Sequence, residues 1–464
     1  MELKMKKELA LAVQSLSSSF KLVQHGTTTF APVHWETEEM YTDALTPEET
    51  IWIPLTTEDK RRLANDVSGI LFATDAELRS FIYMLNQYAA DDTSKARRIL
   101  IRTEAGLRVL NEDGALAVPT GEFIPNFIRP MLNENAADKQ EMFDILANSW
   151  LDSEEEAHSL LHHLATALAP GWSAVKYVLL LGDGRNGKSV LLTMLSDLFG
   201  YENVSNITRQ QMAEQLPVCV ELNNRLINIV FDGRMEYIKD SGLEKTLIAG
   251  EPGHIRLLYE SNTTRVQTNG LFIEALNKEP KSRDKSSALQ KRLVRFRFPN
   301  VFPRDIAFEQ KMRSPEMIGA LLALMVDHYV TQDEVIGKLA LSSASMSLQV
   351  DQMWLNSPVY QYLEYCVTMD PSSADSWVGA TLDAHVAAFM SWRVAENFME
   401  FSSADTVNLF KECFDIDWKT VREGGKPVRK RIIKGLKVET QAFIDRLKED
   451  TNGAQNAGTA VVED

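Results

Sequence analysis

The stretch VKYVLLLGDGRNGKSVLLTMLSDLFG, residues 175–200, constrains this chain more than any other. Val178, Leu179, Leu180 and Leu181 form a short apolar run, as a central parallel strand requires. Eight residues follow in the order Gly182, Asp183, Gly184, Arg185, Asn186, Gly187, Lys188, Ser189. Two glycines separated by four residues and followed by Lys-Ser are the phosphate-loop pattern. The residue types have a physical reason. Glycines let the backbone turn tightly, so that successive N–H groups point at a polyphosphate. Lys188 brings a mobile cation, and the Ser189 hydroxyl can ligate Mg²⁺. A helix starting at Ser189 and Val190 adds its positive N-terminal end. Leu191, Leu195 and Leu198 share one face of that helix, and Gly200 can cap it.

Bulk composition bounds what can surround this loop. A chain of 464 residues holds about two to four domains. Its 44% hydrophobic and 25% charged content is that of a soluble globular protein. No apolar run approaches the ~18 residues of a membrane span, and the N-terminal segment reads as an amphipathic helix, not a signal peptide. Cys219, Cys366 and Cys413 lie far apart, which fits a reducing cytoplasm and neither a disulfide framework nor a zinc site. The net charge of −16 argues against a general nucleic-acid coat, although local basic patches matter more than the sum. Two exist: residues 281–297 carry seven Lys/Arg against one acid, and residues 419–437 carry eight against one.

Taken in order, residues 1–115 read as a mixed α/β accessory domain without a catalytic constellation, with helical periodicity at 1–22 and 58–90. Residues 116–170 read as a helical collar punctuated by Pro119, Pro125, Pro130 and Pro170. Residues 171–312 alternate strand and helix signals, the mark of an α/β domain with a parallel sheet. Within it Leu226–Phe231 is a second strand signal, ending in Asp232. An acid at the tip of a buried strand is where phosphate-loop enzymes hold the magnesium shell. Glu236 follows within about one turn and can polarise a water. A third strand signal, Leu271–Leu276, ends in Asn277, an amide able to bond a γ-phosphate or its attacking water. Between them a hairpin signal runs from Ile255 to Thr268, with a tip read at Ser261–Thr264. Residues 292–298 read as a further strand with one charged face.

Phosphate loop, acid-tipped strand, inserted hairpin, strand ending in Asn, then Arg: in this order the chain resembles the superfamily 3 helicases. It is most similar to the helicase half of phage and plasmid primase-helicase proteins. The likeness is firm over residues 170–300. It implies a P-loop AAA+-like ATPase core working as a ring, a hexamer, with ATP and Mg²⁺ at subunit interfaces and single-stranded or forked DNA in the channel. By position, Lys188 and Ser189 take phosphate and Mg²⁺, Asp232 is the Walker B acid and Asn277 the sensor. Arg292 is the arginine finger reaching a neighbour's γ-phosphate, with Arg283 in reserve. The hairpin becomes a pore loop, whose DNA contacts are His254, Arg256, Asn262, Thr263, Thr264 and Arg265. Two departures stand out. The tip lacks the Lys or His common in the family, and Gly233 stands where some relatives carry a second acid.

Beyond the core, residues 313–345 read as a helical connector. Residues 346–445 read as short helices ending in a basic hairpin, which fits a C-terminal winged-helix-like domain contacting DNA through Arg429, Lys430 and Arg431. Residues 446–464 read as a disordered tail. No Cys/His cluster for a zinc-dependent primase is present, so no primer synthesis is expected and a separate primase or polymerase would be a partner. The leading function is an ATP-driven ring helicase in replication of a phage or mobile element. The alternatives are a ring ATPase that remodels protein or loads another helicase, and an ATP-gated DNA-binding initiator.

Overall fold

Among the described residues of the computed structural model, eight short strands precede the strand that leads into the phosphate loop. The structure describes residues 22–25, 28–34, 36–37, 45–68, 81–82, 90–91, 98–121, 123–169, 176–233, 242–256, 263–268, 270–277, 292–348, 357–370, 372–395, 403–424, 426–438, 440–441, 443–445 and 448. The expected helix at 1–22 therefore lies outside the described residues except for Leu22, and the expected tail except for Lys448, which is helical; Glu236, Asn262 and Arg283 also lie outside them. The chain divides into two units, Met1–Gln349 and Val350–Asp464.

In the first unit, β1 (Val23–His25), β2 (Thr28–His34), β3 (Thr50–Pro54) and β4 (Ala90–Asp91) make one small sheet in the order β3-β2-β1-β4. The helix α1 (Thr57–Ser68) lies between β3 and β4 in sequence. A second sheet, in the order β7-β6-β5-β8, contains β5 (Ile99–Thr103), β6 (Gly106–Leu110), β7 (Leu116–Ala117) and β8 (Asn126–Met131). Residues 116–131 are thus strand and loop, not the helical start of a collar. Three prolines within twelve residues, Pro119, Pro125 and Pro130, explain the difference, because proline lacks the donor an α-helix needs and clashes with its preceding turn. Pro130 is tolerated because β8 is an edge strand and the register shifts beside it, between Ile101 and Arg102.

Helices follow. Asn135 caps α2 (Ala136–Asp144) by accepting from the Ala137 and Asp138 amides. The helix continues as one wider π-helical turn, Ile145–Trp150, that ends on a buried indole. Ser153 caps α3 (Glu154–Ala165), whose Leu160, Leu161 and Leu164 are buried.

The central sheet comes next, with β9 (Tyr177–Leu181), β10 (Val204–Ser205), β11 (Ile227–Val230), β14 (Leu271–Leu276) and β15 (Leu293–Arg297) in the order β10-β11-β14-β9-β15. Every neighbouring pair in it is parallel. All five residues of β9 are buried, as an unbroken apolar run demands. Alternate residues feed two separate cores. Val178 and Leu180 join one with Leu191 and Leu195 of α4 (Lys188–Phe199). Tyr177, Leu179 and Leu181 join the other with Met212 of α5 (Arg209–Glu214) and Leu247 of α6 (Gly242–Ile248). The result is a sheet covered by helices on both sides. The hairpin of β12 (Gly253–Arg256) and β13 (Thr263–Val266) pairs antiparallel and lays Ile255 and Val266 on that second core. Closing the unit, α7 (Ile306–Met312) precedes α8 (Pro315–Asp327), which Ser314 caps with Pro315 in the first turn.

The second unit contains α9 (Pro358–Met369), α10 (Leu382–Ala395), α11 (Ser403–Cys413) and a long hairpin of β16 (Phe414–Glu423) and β17 (Lys426–Leu436). Thr381, just before α10, bridges antiparallel to Ile432 as a one-residue third strand. Its core is largely aromatic: Tyr362, Trp377, Phe389, Phe410 and Phe414. Among the described residues no helix is long and apolar enough to cross a membrane.

Candidate nucleotide site and nucleic-acid interface

The glycine loop stands at the C-terminal end of β9, where a parallel sheet presents its strand tips together. Three loop residues adopt left-handed φ: Gly184 at 99°, Arg185 at 51° and Gly187 at 93°. Gly182 is needed for close approach: a Cβ there would come within 2.1 Å of the Asn186 amide and 2.6 Å of the Phe298 carbonyl. Asn186 is buried and donates from Nδ2 to that carbonyl at 3.2 Å, pinning the loop to the end of β15. The Phe302 amide donates to the Arg185 carbonyl at 2.7 Å, a second tie to the same segment.

Lys188 opens α4 and folds back into the loop. Its Nζ donates to the Gly182 carbonyl at 2.6 Å and to Asn186 Oδ1 at 2.9 Å. Burial pushes its ammonium below the ordinary lysine pKa, while negative Asp183 and Asp232 act in the opposite direction. A buried cation held only by a carbonyl and an amide matches an anion entering the loop. Ser189 is exposed at the same helix start. Asp183, Gly184, Arg185, Gly187 and Val190 complete the loop and first turn.

Neighbouring strands bring in two more of the expected residues. The Gly182 amide donates to the Leu276 carbonyl at 3.2 Å, so Asn277, the next residue, stands beside the mouth of the loop. Asp232 lies two residues past the end of β11, and the Gly233 amide donates to the Ala275 carbonyl at 3.0 Å. Gly233 itself is explained by crowding: a Cβ there would meet the Glu274 carboxylate at 2.1 Å. Glu274 is buried in β14 and accepts from the Tyr177 hydroxyl at 3.2 Å. No cluster of three or more His, Cys, Asp or Glu able to hold a metal occurs among the described residues. A cation arriving with a polyphosphate needs fewer protein ligands, and the hard oxygens of Ser189 and Asp232 suit Mg²⁺.

Arg292 is elsewhere. Its carbonyl accepts from the Tyr177 amide at 2.8 Å, at the foot of β15 and β9. Five paired residues, Leu293↔Tyr177 to Arg297↔Leu181, separate it from the loop, about 17 Å at ~3.3 Å per residue. Arg292 cannot serve its own chain's loop; any role at a triphosphate requires a second chain.

Three aromatic residues, Trp150, Phe302 and Phe308, join the expected loop residues without having been tied to them in the sequence. A cavity of about 430 Å³ opens beside the loop, lined by Trp150, Arg185, Gly187, Val190, Phe302 and Phe308 among others. The apolar and aromatic walls suit a flat heterocycle. The only sequence signal was an aromatic ending one helical pattern and a Phe-Pro pair following the last strand, neither of which is tied to the loop by spacing.

The hairpin differs from expectation at its tip. Thr263 and Thr264 lie inside β13, paired with Arg256 and Ile255, and residues 257–262, with the rest of the expected tip, lie outside the described residues. The register sets Gly253 opposite Val266 and Ile255 opposite Thr264, so that Ile255 and Val266 are both buried. His254, Arg256, Thr263 and Arg265 share the exposed face. The Arg265 guanidinium bonds Gln267, and the Gln267 amide donates to Asn223 Oδ1 at 2.9 Å. In the second unit Arg429 is exposed on β17, with Lys430 and Arg431 half-buried beside it.

No family model matches the chain, and no curated protein is similar to it in sequence. Among solved structures, the A-form apo structure of the NrS-1 C-terminal region is similar with a TM-score of 0.47 and 12% identity, over 91% of this chain and 97% of that one. A second apo structure of the same region has the same TM-score and identity, over 90% and 97%. At that level the likeness carries no functional argument, which rests on the residues above.

Proposed function

We propose that this chain is an ATP-driven DNA helicase acting as a ring, with the described P-loop as its phosphate site. The observation that carries the reading is the convergence of Lys188, Ser189, Asp232 and Asn277 on the tips of three adjacent parallel strands. Loop amides and Lys188 would stabilise charge on the β- and γ-phosphates. Mg²⁺, held by Ser189 and Asp232, would neutralise the bridging oxygens. Asn277 would orient the γ-phosphate or the attacking water, and Glu236 would polarise that water. The cavity walled by Trp150, Phe302 and Phe308 would take the base. Placement of Arg292 at the far end of the sheet supports a ring, because it is usable only by a neighbouring chain. The order helix, bridge, helix, helix, hairpin in the second unit supports a winged-helix-like reading.

The test is ATP hydrolysis and fork unwinding by the parent and by Lys188→Ala. Loss of both is expected; unwinding that survives the substitution removes the proposal. Gly233 favours the second reading, an ATP-gated DNA-binding initiator, since the Glu274 carboxylate leaves no room there for a second acid. Turnover that vanishes in Asp232→Asn would exclude that reading.

A further inference from the structure

The hairpin of the second unit carries an aromatic side chain that the function above does not use. In an antiparallel pair, directly opposed residues share a face. The register Trp418↔Arg431, Thr420↔Arg429 and Arg422↔Pro427 therefore gathers Trp418, Thr420, Arg422, Arg429, Arg431 and Pro427 on one side. Three of these six are cations and none is an acid, in a chain whose net charge is −16. The same face is anchored at its base by Ile416 opposite Ile433, which is buried in the aromatic core.

Trp418 does not join that core. It is 53% exposed, although a residue of its size usually buries most of its surface in a domain this small. Instead it lies under two guanidinium groups, Arg429 at 5.3 Å and Arg431 at 5.5 Å from the ring centroid. Cations at this distance are attracted to the face of the indole ring. An exposed ring with arginines around it, on a rigid strand pair, is the combination that takes a stacked base and its flanking phosphates. A duplex hides its base faces, so ring stacking selects a single strand.

We propose that this face of the β16–β17 hairpin binds single-stranded nucleic acid, with Trp418 stacking on one base and Arg422, Arg429 and Arg431 contacting adjacent phosphates. The inference rests on the reading of the chain as a DNA-handling protein and names the strand form and the residue that reads it.

The experiment uses the full chain without nucleotide. Anisotropy of a labelled oligo-dT and of a duplex of equal length is measured against salt for the parent, Trp418→Ala, Trp418→Phe and Arg431→Ala. Thermal unfolding checks that each variant folds. Trp418→Ala should weaken oligo-dT binding about tenfold or more, with the salt slope and duplex affinity unchanged, and Trp418→Phe should recover most of it. Arg431→Ala should instead lower the single-strand salt slope by about 0.7. Parent-like oligo-dT affinity in Trp418→Ala overturns the stacking role alone. Equal losses for oligo-dT and duplex overturn the single-strand preference. A parent chain that binds neither removes this inference together with the DNA-handling reading.

Discussion

Two loop glycines have nearly the same backbone conformation but different surroundings, and that contrast yields a quantitative prediction. Gly184 has φ 99° and Gly187 has φ 93°. An ideal Cβ at Gly184 meets nothing within 4 Å, whereas one at Gly187 falls 2.4 Å from Trp150 Nε1 and 2.6 Å from its Cδ1. Gly184→Ala should therefore cost only the left-handed strain of an L-residue, about 1–2 kcal/mol. Gly187→Ala carries the same strain plus displacement of a buried indole, and overpacking of that kind costs roughly 1–3 kcal/mol more. Trp150 sits at the end of the π-helical turn and also walls the cavity beside the loop, so the collision distorts the proposed nucleotide site itself. Titration of a fluorescent ATP analogue should show Gly187→Ala weaker than Gly184→Ala by about tenfold or more, since ~1.4 kcal/mol is a decade. Adding Trp150→Phe, which removes the colliding pyrrole edge, should recover part of the loss in Gly187→Ala and none in Gly184→Ala. Equal affinities for the two alanine variants would refute the reasoning.

Further outcomes can be checked directly. His163 is fully buried, its Nδ1 donates to the Ser159 carbonyl at 2.7 Å, and burial lowers its pKa to about 4, helped by Lys176 and His162. The unfolded chain binds this proton more readily, so the contribution of neutral His163 is complete above pH 6.5 and is lost as pH falls towards 4, about 3 kcal/mol in all. Urea unfolding should show His163→Asn losing less stability than the parent across that window; parallel losses would contradict the assignment. Arg209 and Glu244 form a buried pair at 2.6 Å. Removing only one partner, as in Glu244→Leu, should destabilise by about 3–5 kcal/mol, while replacing both with apolar residues should cost much less. Phe308→Ala opens the cavity wall beside the loop; with the base placed in that cavity as proposed, it should raise KM for ATP several-fold with little change in kcat, because only contact with the base is removed.

Much of the parallel-sheet core around the glycine loop was legible because its signals are local. The four-residue apolar run before Gly182, the glycine spacing and the helical period after Ser189 each specify their element within a few residues. The same holds for Asp232 and Asn277, which end apolar runs that can only be buried strands. The helical spacing of residues 143–168 does not extend back to 116–131, where three prolines break a helix and the pairing of β8 with β5 decides strand. The hairpin differs for a related reason: Thr263 and Thr264 look like a turn, but they are strand residues in a register that buries Ile255 and Val266.

What the amino-acid order determined by itself is the identity of the phosphate loop and the elements that flank it, since backbone conformation there depends on glycine and on short-range periodicity. Tertiary structure alone decided which loop residues face Trp150, that Glu274 fills the space beside Gly233, that Arg292 stands a strand's length from its own loop, and that Trp418 meets two arginines. Each of those relations joins positions far apart in the chain, or depends on strand register, and only the pairing and packing of whole elements brings such positions together.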